Sequence, residues 1–386
     1  MAVIDEGCDF LVIGGGIAGA SVAFQLAQYG RVIVLEMEDG AGHHATGRSA
    51  AFFHASLGSR PVQVVTEQSR AFFEEPPAGF AAHALASPLP LLIVANAEQE
   101  GALEEYLAAV RKHAPDAHRV EREQLLQLLP IARIAPEAMW HAVIEPHCFR
   151  IDSHALLQGF LAGLRTAGGK LFTRALAEHV EHVSGRWRVV TPRGRFAAPV
   201  LVNAAGAWGD ELAALCGLEQ LGLTPLRRTV VTFELPPGVH WDHGPFVYGL
   251  DESFYFVPES GGILLSPQDE TPVDPHDVQP EELDVATAID RFEAVTTMVV
   301  KRLRSQWAGL RTFAPDRLPV VGFDARAPGF FWHVGQGGYG LQTAPVLSLA
   351  AASLIVHGTW PAVLQAQGVS ASDIGPERLS PPRPRA

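Results

Sequence analysis

The sequence predicts a two-domain α/β protein, and three observations predict it. Residues 9–36 run strand, glycine turn, helix, strand; residues 200–206 return to a buried strand; residues 223–315 hold several short β-rich stretches. The first two make a parallel βαβ domain that is interrupted in sequence, and the third a mainly antiparallel sheet. With about 100 to 200 residues typical of one domain, the 386 residues have room for about two or three cores.

In the first unit FLVI is a strand, GGGIAG the turn, ASVAFQLAQYG the helix and RVIVLE the second strand, whose unbroken apolar run suits a parallel sheet. Gly30 is expected to close that helix in a left-handed conformation. Helices are expected between 97 and 113, where Leu103, Tyr106, Leu107 and Val110 recur, and after Asp152 and Ser153, where Leu156, Leu157, Phe160, Leu161 and Leu164 recur. Lys170 to Val190 reads as strand, with a hairpin turn at Ser184 and Gly185. RRTVVTF, SFYFVP and GGILLS read as strands, followed by a helix around 281–300. FFWHVGQGGYG at 330–340 is a strand and a glycine loop, and TAPVLSLAAASLIVHG a helix with Pro345 in its first turn and Gly358 at its end. The expected boundaries are 1–85, 150–222 and 316–375 for the first domain and 86–149 and 223–315 for the second, with 376–386 a flexible tail.

A net charge of −13 disfavours nucleic acid and anionic membrane surfaces as partners. Apolar residues at 47% with 18% charged residues exclude a wholly disordered chain. Cys8, Cys148 and Cys216 form no CxxC pair, which disfavours a disulfide scaffold or structural zinc. The N-terminal apolar stretch lacks a positive leader, and no unbroken apolar run of about 20 residues stands out. A soluble protein of the cytoplasm, without an integral membrane segment, is therefore expected.

Gly14, Gly16 and Gly19 form GxGxxG between a strand and a helix, which lets backbone amides approach a pyrophosphate at the positive end of the helix dipole. Glu36, 22 residues beyond Gly14, ends the next strand and suits ribose hydroxyls. This Rossmann-like fingerprint serves NAD and FAD alike. Two further loops point to a flavin: Thr46-Gly47-Arg48-Ser49-Ala50-Ala51, small, polar and cationic, and Gly337 to Thr343, whose amides precede a long apolar helix. Each loop alone also fits an ordinary connection.

VIGGGIAGAS, TGRSAA, RAFFEEPPAGF, VNAAGAW, LDESFY, HDVQPEELD, WAGLR and QGGYGLQT together resemble the FAD-dependent D-amino-acid oxidase superfamily, in particular its bacterial catabolic D-arginine dehydrogenases, over nearly the whole chain. The resemblance implies an FAD-binding domain beside a substrate domain. It implies FAD contacts at Ala18, Glu36, Met37, Ala45, Thr46, Gly47, Arg48, Ser49, Ala50, Ala51 and Phe52. Further contacts are implied at the backbone of Ala177 and at Gly337, Gly338, Tyr339, Gly340, Leu341 and Gln342. It also places Arg228, Tyr255 and Arg311 around a substrate carboxylate, with the Gly338 carbonyl near the amine. Guanidinium groups suit that task through planar, charge-assisted hydrogen bonds. Strand alternation puts Arg227 and Arg228 on opposite faces, so one of them points inward.

Three departures mark this chain: Phe52 stands where the arginine enzymes have a histidine near the amine, Leu57 where they have a pocket tyrosine, and Leu91 where they have the glutamate that receives the guanidinium. With Leu341 these residues predict an apolar chamber, and a carboxylate restored at position 91 is expected to favour arginine again. His54, two residues on from Phe52, is a candidate replacement for the missing histidine, although packing alone also accounts for it. His43 and His44 are adjacent, and His179 and His182 fall on opposite strand faces, so no metal site is expected.

The expected function is FAD-dependent oxidation of a D-amino acid with a neutral or apolar side chain to the imino acid, by hydride transfer to flavin N5, and hydrolysis to the 2-oxo acid. The electron acceptor is left open. Alternatives are oxidation of an N-alkyl amino acid, imino acid or 2-hydroxy acid, or a non-catalytic flavin-binding protein.

Overall fold

The computed structural model describes residues 4–379 apart from 237, 240 and 242. Its first sheet has six strands in the order Lys170–Phe172, Val32–Leu35, Phe10–Ile13, Val200–Asn203, Phe330–Val334 and Val320–Phe323. The first five are mutually parallel and the last is antiparallel. Alternation feeds two cores from these strands. Val12, Val202 and Phe331 face the helices Ile17–Leu26, Ser153–Thr166 and Gly340–His357. Leu11, Leu201, Phe330 and Trp332 face a four-stranded sheet that carries Trp187, Val189 and Phe196. Burial on both faces is why these strands read as continuous apolar runs.

The second large sheet runs Gln336–Gly337, Ser305–Phe313, Thr224–Glu234, Gly262–Ser266, Tyr255–Glu259, Phe246–Gly249, Leu91–Ala95, His141–Glu145 and His118–Arg119, with Thr271–Pro272 also pairing to Thr224–Glu234. Only the Phe246–Gly249 and Leu91–Ala95 pair is parallel. Its first strand matters most for the site. The chain leaves the parallel sheet at Val334 and two residues later pairs Gln336 with Phe313, then Gly337 with Thr312, so the glycine loop is pinned between the two sheets.

Several local expectations hold. The Asp152 side chain accepts from Ala155 N at 2.8 Å and caps the helix that follows. Ser184 and Gly185 turn the predicted hairpin with positive φ, 52° and 73°. Arg227 and Arg228 do point to opposite faces, Arg228 toward a cavity and Arg227 toward Glu281 and Asp284.

Others are corrected. Gly30 is not a left-handed cap; the helix ends at Leu26 with Ala27 in right-handed geometry, and Gly30 is needed because a Cβ there would lie 2.8 Å from Asp9 Oδ2. The helix expected to reach about 300 stops at Val295, where Thr296 and Thr297 turn away to pair with Ala132 and Ile131. The last long helix begins at Gly340, so Pro345 lies in its second turn. That helix, Gly340–His357, is long and apolar enough to cross a membrane by length and composition, yet it lies in the core against the helices Ile17–Leu26 and Arg60–Glu74. Residues 376–379 are no loose tail. They form a turn in which Arg378 pairs with Asp316 and buried Pro376 packs on Gly322; 380–386 lie outside the described residues.

Candidate active site

A cavity of about 820 Å³ runs between the two sheets, from the glycine turn to the arginine-bearing strands. Backbone crowding shapes its first end. Gly14 has φ +109°, and a Cβ there would lie 2.3 Å from the Ala204 carbonyl oxygen. Thr46 Oγ1 accepts from Ile17 N at 3.0 Å and ties the loop to the start of the helix. Glu36 is buried; its Oε2 accepts from Gly15 N at 2.7 Å and its Oε1 from Glu38 N at 2.9 Å, so the carboxylate is held in the wall.

At the other end, strand register explains why two arginines meet. Arg228 lies opposite Gly309, and Arg311 is two residues beyond Gly309, so alternation sends both guanidinium groups to one face. Arg228 is buried; its Nε donates to the Asp269 carbonyl at 2.9 Å and its Nη2 to Glu270 Oε1 at 3.1 Å. Burial, and then the Arg311 charge, hold its pKa below the usual guanidinium range. Arg311 packs over Gly338 so closely that a Cβ there would lie 1.5 Å from Nη2. The Arg311 guanidinium makes no hydrogen bond to the described residues, and its nearest carboxylate oxygen among them is 3.8 Å away, on Glu270. Tyr255 stands in the same wall, paired in register with Tyr248, the two rings nearly parallel at 6.5 Å.

His333 also lines the cavity. It is fully buried in the cavity wall, and burial pushes its pKa down to about 4, so the ring is neutral at physiological pH. Gln336 Nε2 donates to His333 Nε2 at 3.4 Å, which leaves the ring proton on Nδ1, an atom without a partner among the described residues.

Most of the candidate residues lie along this cavity. Gly14, Gly16, Ala18, Glu36, Met37, Ala45, Thr46, Arg48, Ser49, Ala50, Ala51, Phe52 and Ala177 line it, and so does the whole loop from Gly337 to Gln342. Leu57, Arg228, Tyr255 and Arg311 join them.

Five residues are placed otherwise than expected. Gly19 is outside the wall; a Cβ on it would lie 1.8 Å from the Gly14 carbonyl oxygen, so it sets the contact between helix and turn. Gly47 likewise serves close packing, 2.7 Å from Gly42 O on the same measure. Arg48 lines the cavity but does not offer a free charge, because its guanidinium bonds Asp277 and the carbonyls of Val278 and Ala308. Leu91 is wholly buried, in a strand whose five residues are all buried, and packs with Ile93, Leu103 and Leu107 behind the wall. His54 is also behind it, its Nε2 3.0 Å from Glu145 Oε1 in a buried cluster with Tyr106 and Ser56. Since Leu91 faces Glu145 in register, Leu91→Glu is expected to destabilise the fold by roughly 3 kcal/mol or more, without raising activity on arginine. Urea unfolding beside a D-arginine to D-leucine rate ratio checks both parts.

Sequence reasoning missed Tyr248, Gln268, Glu270, Arg317 and His333, all in the cavity wall. Tyr248 had a signal, the in-register partner position of Tyr255; the loop residues Gln268, Glu270 and Arg317 had none.

Residues 9–354 match the family described as DAO, FAD dependent oxidoreductase. Over 378 residues the chain is 25% identical to the mitochondrial dimethylglycine dehydrogenase of Rattus norvegicus, with 91% of this chain and 43% of that one covered. The chain thus spans less than half the length of that relative. It is 26% identical over 368 residues to a glycine oxidase of Geobacillus kaustophilus, with 90% and 92% covered. The crystal structure of L-proline dehydrogenase from P. horikoshii has the same fold, with TM-score 0.82, 19% identity and 97% and 98% of the two chains covered.

Proposed function

The chain belongs to the DAO family of FAD-dependent oxidoreductases, and on that premise we propose that it oxidises the carbon–nitrogen bond of a small amino acid held by its carboxylate on Arg228 and Arg311. FAD is the cofactor, and bound there it supplies the two-electron acceptor. The residues fit it: the crowded turn at Gly14, the Glu36 carboxylate and the unpartnered Nδ1 of His333 all stand along one cavity wall.

One observation carries the reading. The Arg311 guanidinium, without a hydrogen bond to the described residues, faces buried Arg228 beside the Gly338 backbone. Two guanidinium groups that converge on one cavity suit a substrate carboxylate, which takes both in planar, charge-assisted bonds. The Tyr255 hydroxyl adds a third donor, and the Gly338 carbonyl accepts from the amine. Phe52, Leu57 and Leu341 exclude water from the reacting carbon and suit a neutral side chain. Loss of one amine proton, and of the Cα hydrogen as a hydride carrying two electrons, leaves an imino acid, which water hydrolyses to the 2-oxo acid and ammonia.

The D configuration and the likeness to D-arginine dehydrogenases are supported by the sequence motifs. A second reading, an N-alkyl amino acid, draws on Phe52, which stacks on Phe246 at 4.2 Å and offers an N-methyl group an apolar contact. The relative named for dimethylglycine supports it too. Anaerobic mixing of the FAD-loaded protein with D- and L-leucine, D-phenylalanine, sarcosine, dimethylglycine and 2-hydroxy acids separates the readings. Bleaching of the visible flavin band by a D-amino acid alone supports the first and by an N-methyl compound the second; no bleaching by any of them rejects both in favour of a flavin-binding protein. Repeating the productive case in air tests oxygen as the acceptor.

A further inference from the structure

The position between Arg228 and Arg311 already has a carboxylate. A single oxygen, Glu270 Oε1, lies 3.1 Å from Arg228 Nη2, 3.8 Å from Arg311 Nη1 and 3.0 Å from Arg317 Nη2. A substrate carboxylate bridging Arg228 and Arg311 would come into close like-charge contact with that oxygen, so both cannot stay. The backbone around Glu270 is fixed: the Asp269 carbonyl accepts from Arg228 Nε, Gln268 Oε1 from Arg228 Nη1, and the Asp269 carboxylate from Thr229 N and Oγ1. Only the Glu270 side chain, one third exposed, has room to move. Arg317 gives it somewhere to go, since this third guanidinium is half exposed and stacks on Phe313 at the cavity edge.

We propose that Glu270 is the resident carboxylate of the clamp, which holds Arg228 and Arg311 together until a substrate carboxylate displaces it onto Arg317. The inference rests on the clamp reading above and assigns two specificity-determining residues to it. Glu270 neutralises two like charges that would otherwise repel, and it imposes a competition that only an anion can win. Neutral analogues lack the charge needed to take its place. Arg317 lowers the cost of that exchange by keeping Glu270 paired after it has moved.

Binding of 4-methylpentanoate, the unreactive deaminated counterpart of leucine, tests this through the visible difference spectrum of the FAD-loaded protein. Glu270→Gln is expected to tighten binding about fivefold, the scale of a partly exposed ion pair. Arg317→Asn, chosen because Asn tolerates the positive φ of 62° at that position, is expected to weaken it several-fold. The double variant is expected to bind like Glu270→Gln alone, because Arg317 acts only through Glu270. Equal or weaker binding by both Glu270→Gln and Glu270→Ala, with the flavin spectrum and melting temperature of the wild type, overturns the proposal. Arg311→Ala distinguishes the two levels: if it loses the ligand while Glu270→Gln does not tighten it, the clamp stands and the resident carboxylate falls. If Arg311→Ala binds like the wild type, the clamp reading itself is wrong.

Discussion

Arg311→Ala is expected to lower kcat/KM on the best substrate by roughly one and a half to two and a half decades. Removing one partner of a close charge pair costs about 2 to 5 kcal/mol, and each 1.36 kcal/mol is about one decade in rate. The lower part of that range applies here, because the Arg311 side chain is one quarter exposed and water screens it. A rise in KM with kcat intact would mean that Arg311 binds ground and transition states alike, and a fall in kcat that it also orients the reacting carbon. Arg227→Ala is the matched control. Its guanidinium leaves the strand of Arg228, beside that of Arg311, on the face away from the cavity, toward Glu281, Asp284 and Asp269, so its loss is expected in stability and not in KM.

Gly19→Ala is expected to yield protein without bound FAD. The added methyl would lie 1.8 Å from the Gly14 carbonyl oxygen, a backbone atom that cannot rotate aside, so the helix must lift from the glycine turn. Overpacking of this kind costs about 1 to 3 kcal/mol, and here it falls on the loop that approaches the pyrophosphate. Gly40→Ala, with nothing within 4 Å of the new carbon, is expected to keep both colour and stability. Flavin absorbance per protein after gel filtration, with a melting curve, measures both effects.

How much of this was legible depended on the range of the forces involved. The βαβ unit was legible because its glycines, apolar runs and acidic strand end all act within residues 9–36. The opposite facing of Arg227 and Arg228 followed from strand alternation alone. The same rule failed for His54, because the strand that holds Phe52 ends at Phe53 and alternation does not carry past it. Leu91 was misplaced for a related reason: where a strand is buried on both faces, sequence does not say which face meets the cavity. Arg48 looked like a free cation because its partners, Asp277 and the Val278 and Ala308 carbonyls, are more than 200 residues away in sequence. Glu270 and Arg317 sit in loops without periodicity, and only the tertiary fold brings them to Arg228. Gly30 was read as a cap when a contact with Asp9, 21 residues earlier, had fixed its identity.

The central claim is that charge on the substrate's acid group, met by paired guanidinium groups, decides turnover. Comparing anaerobic flavin reduction by the best amino acid with reduction by its primary amide tests it most directly, because the amide keeps shape and amine while removing only the negative charge. The account predicts that the wild type reduces at least about a hundredfold faster with the acid, and that Arg311→Ala shrinks this ratio toward unity. Equal rates for acid and amide in the wild type would contradict it.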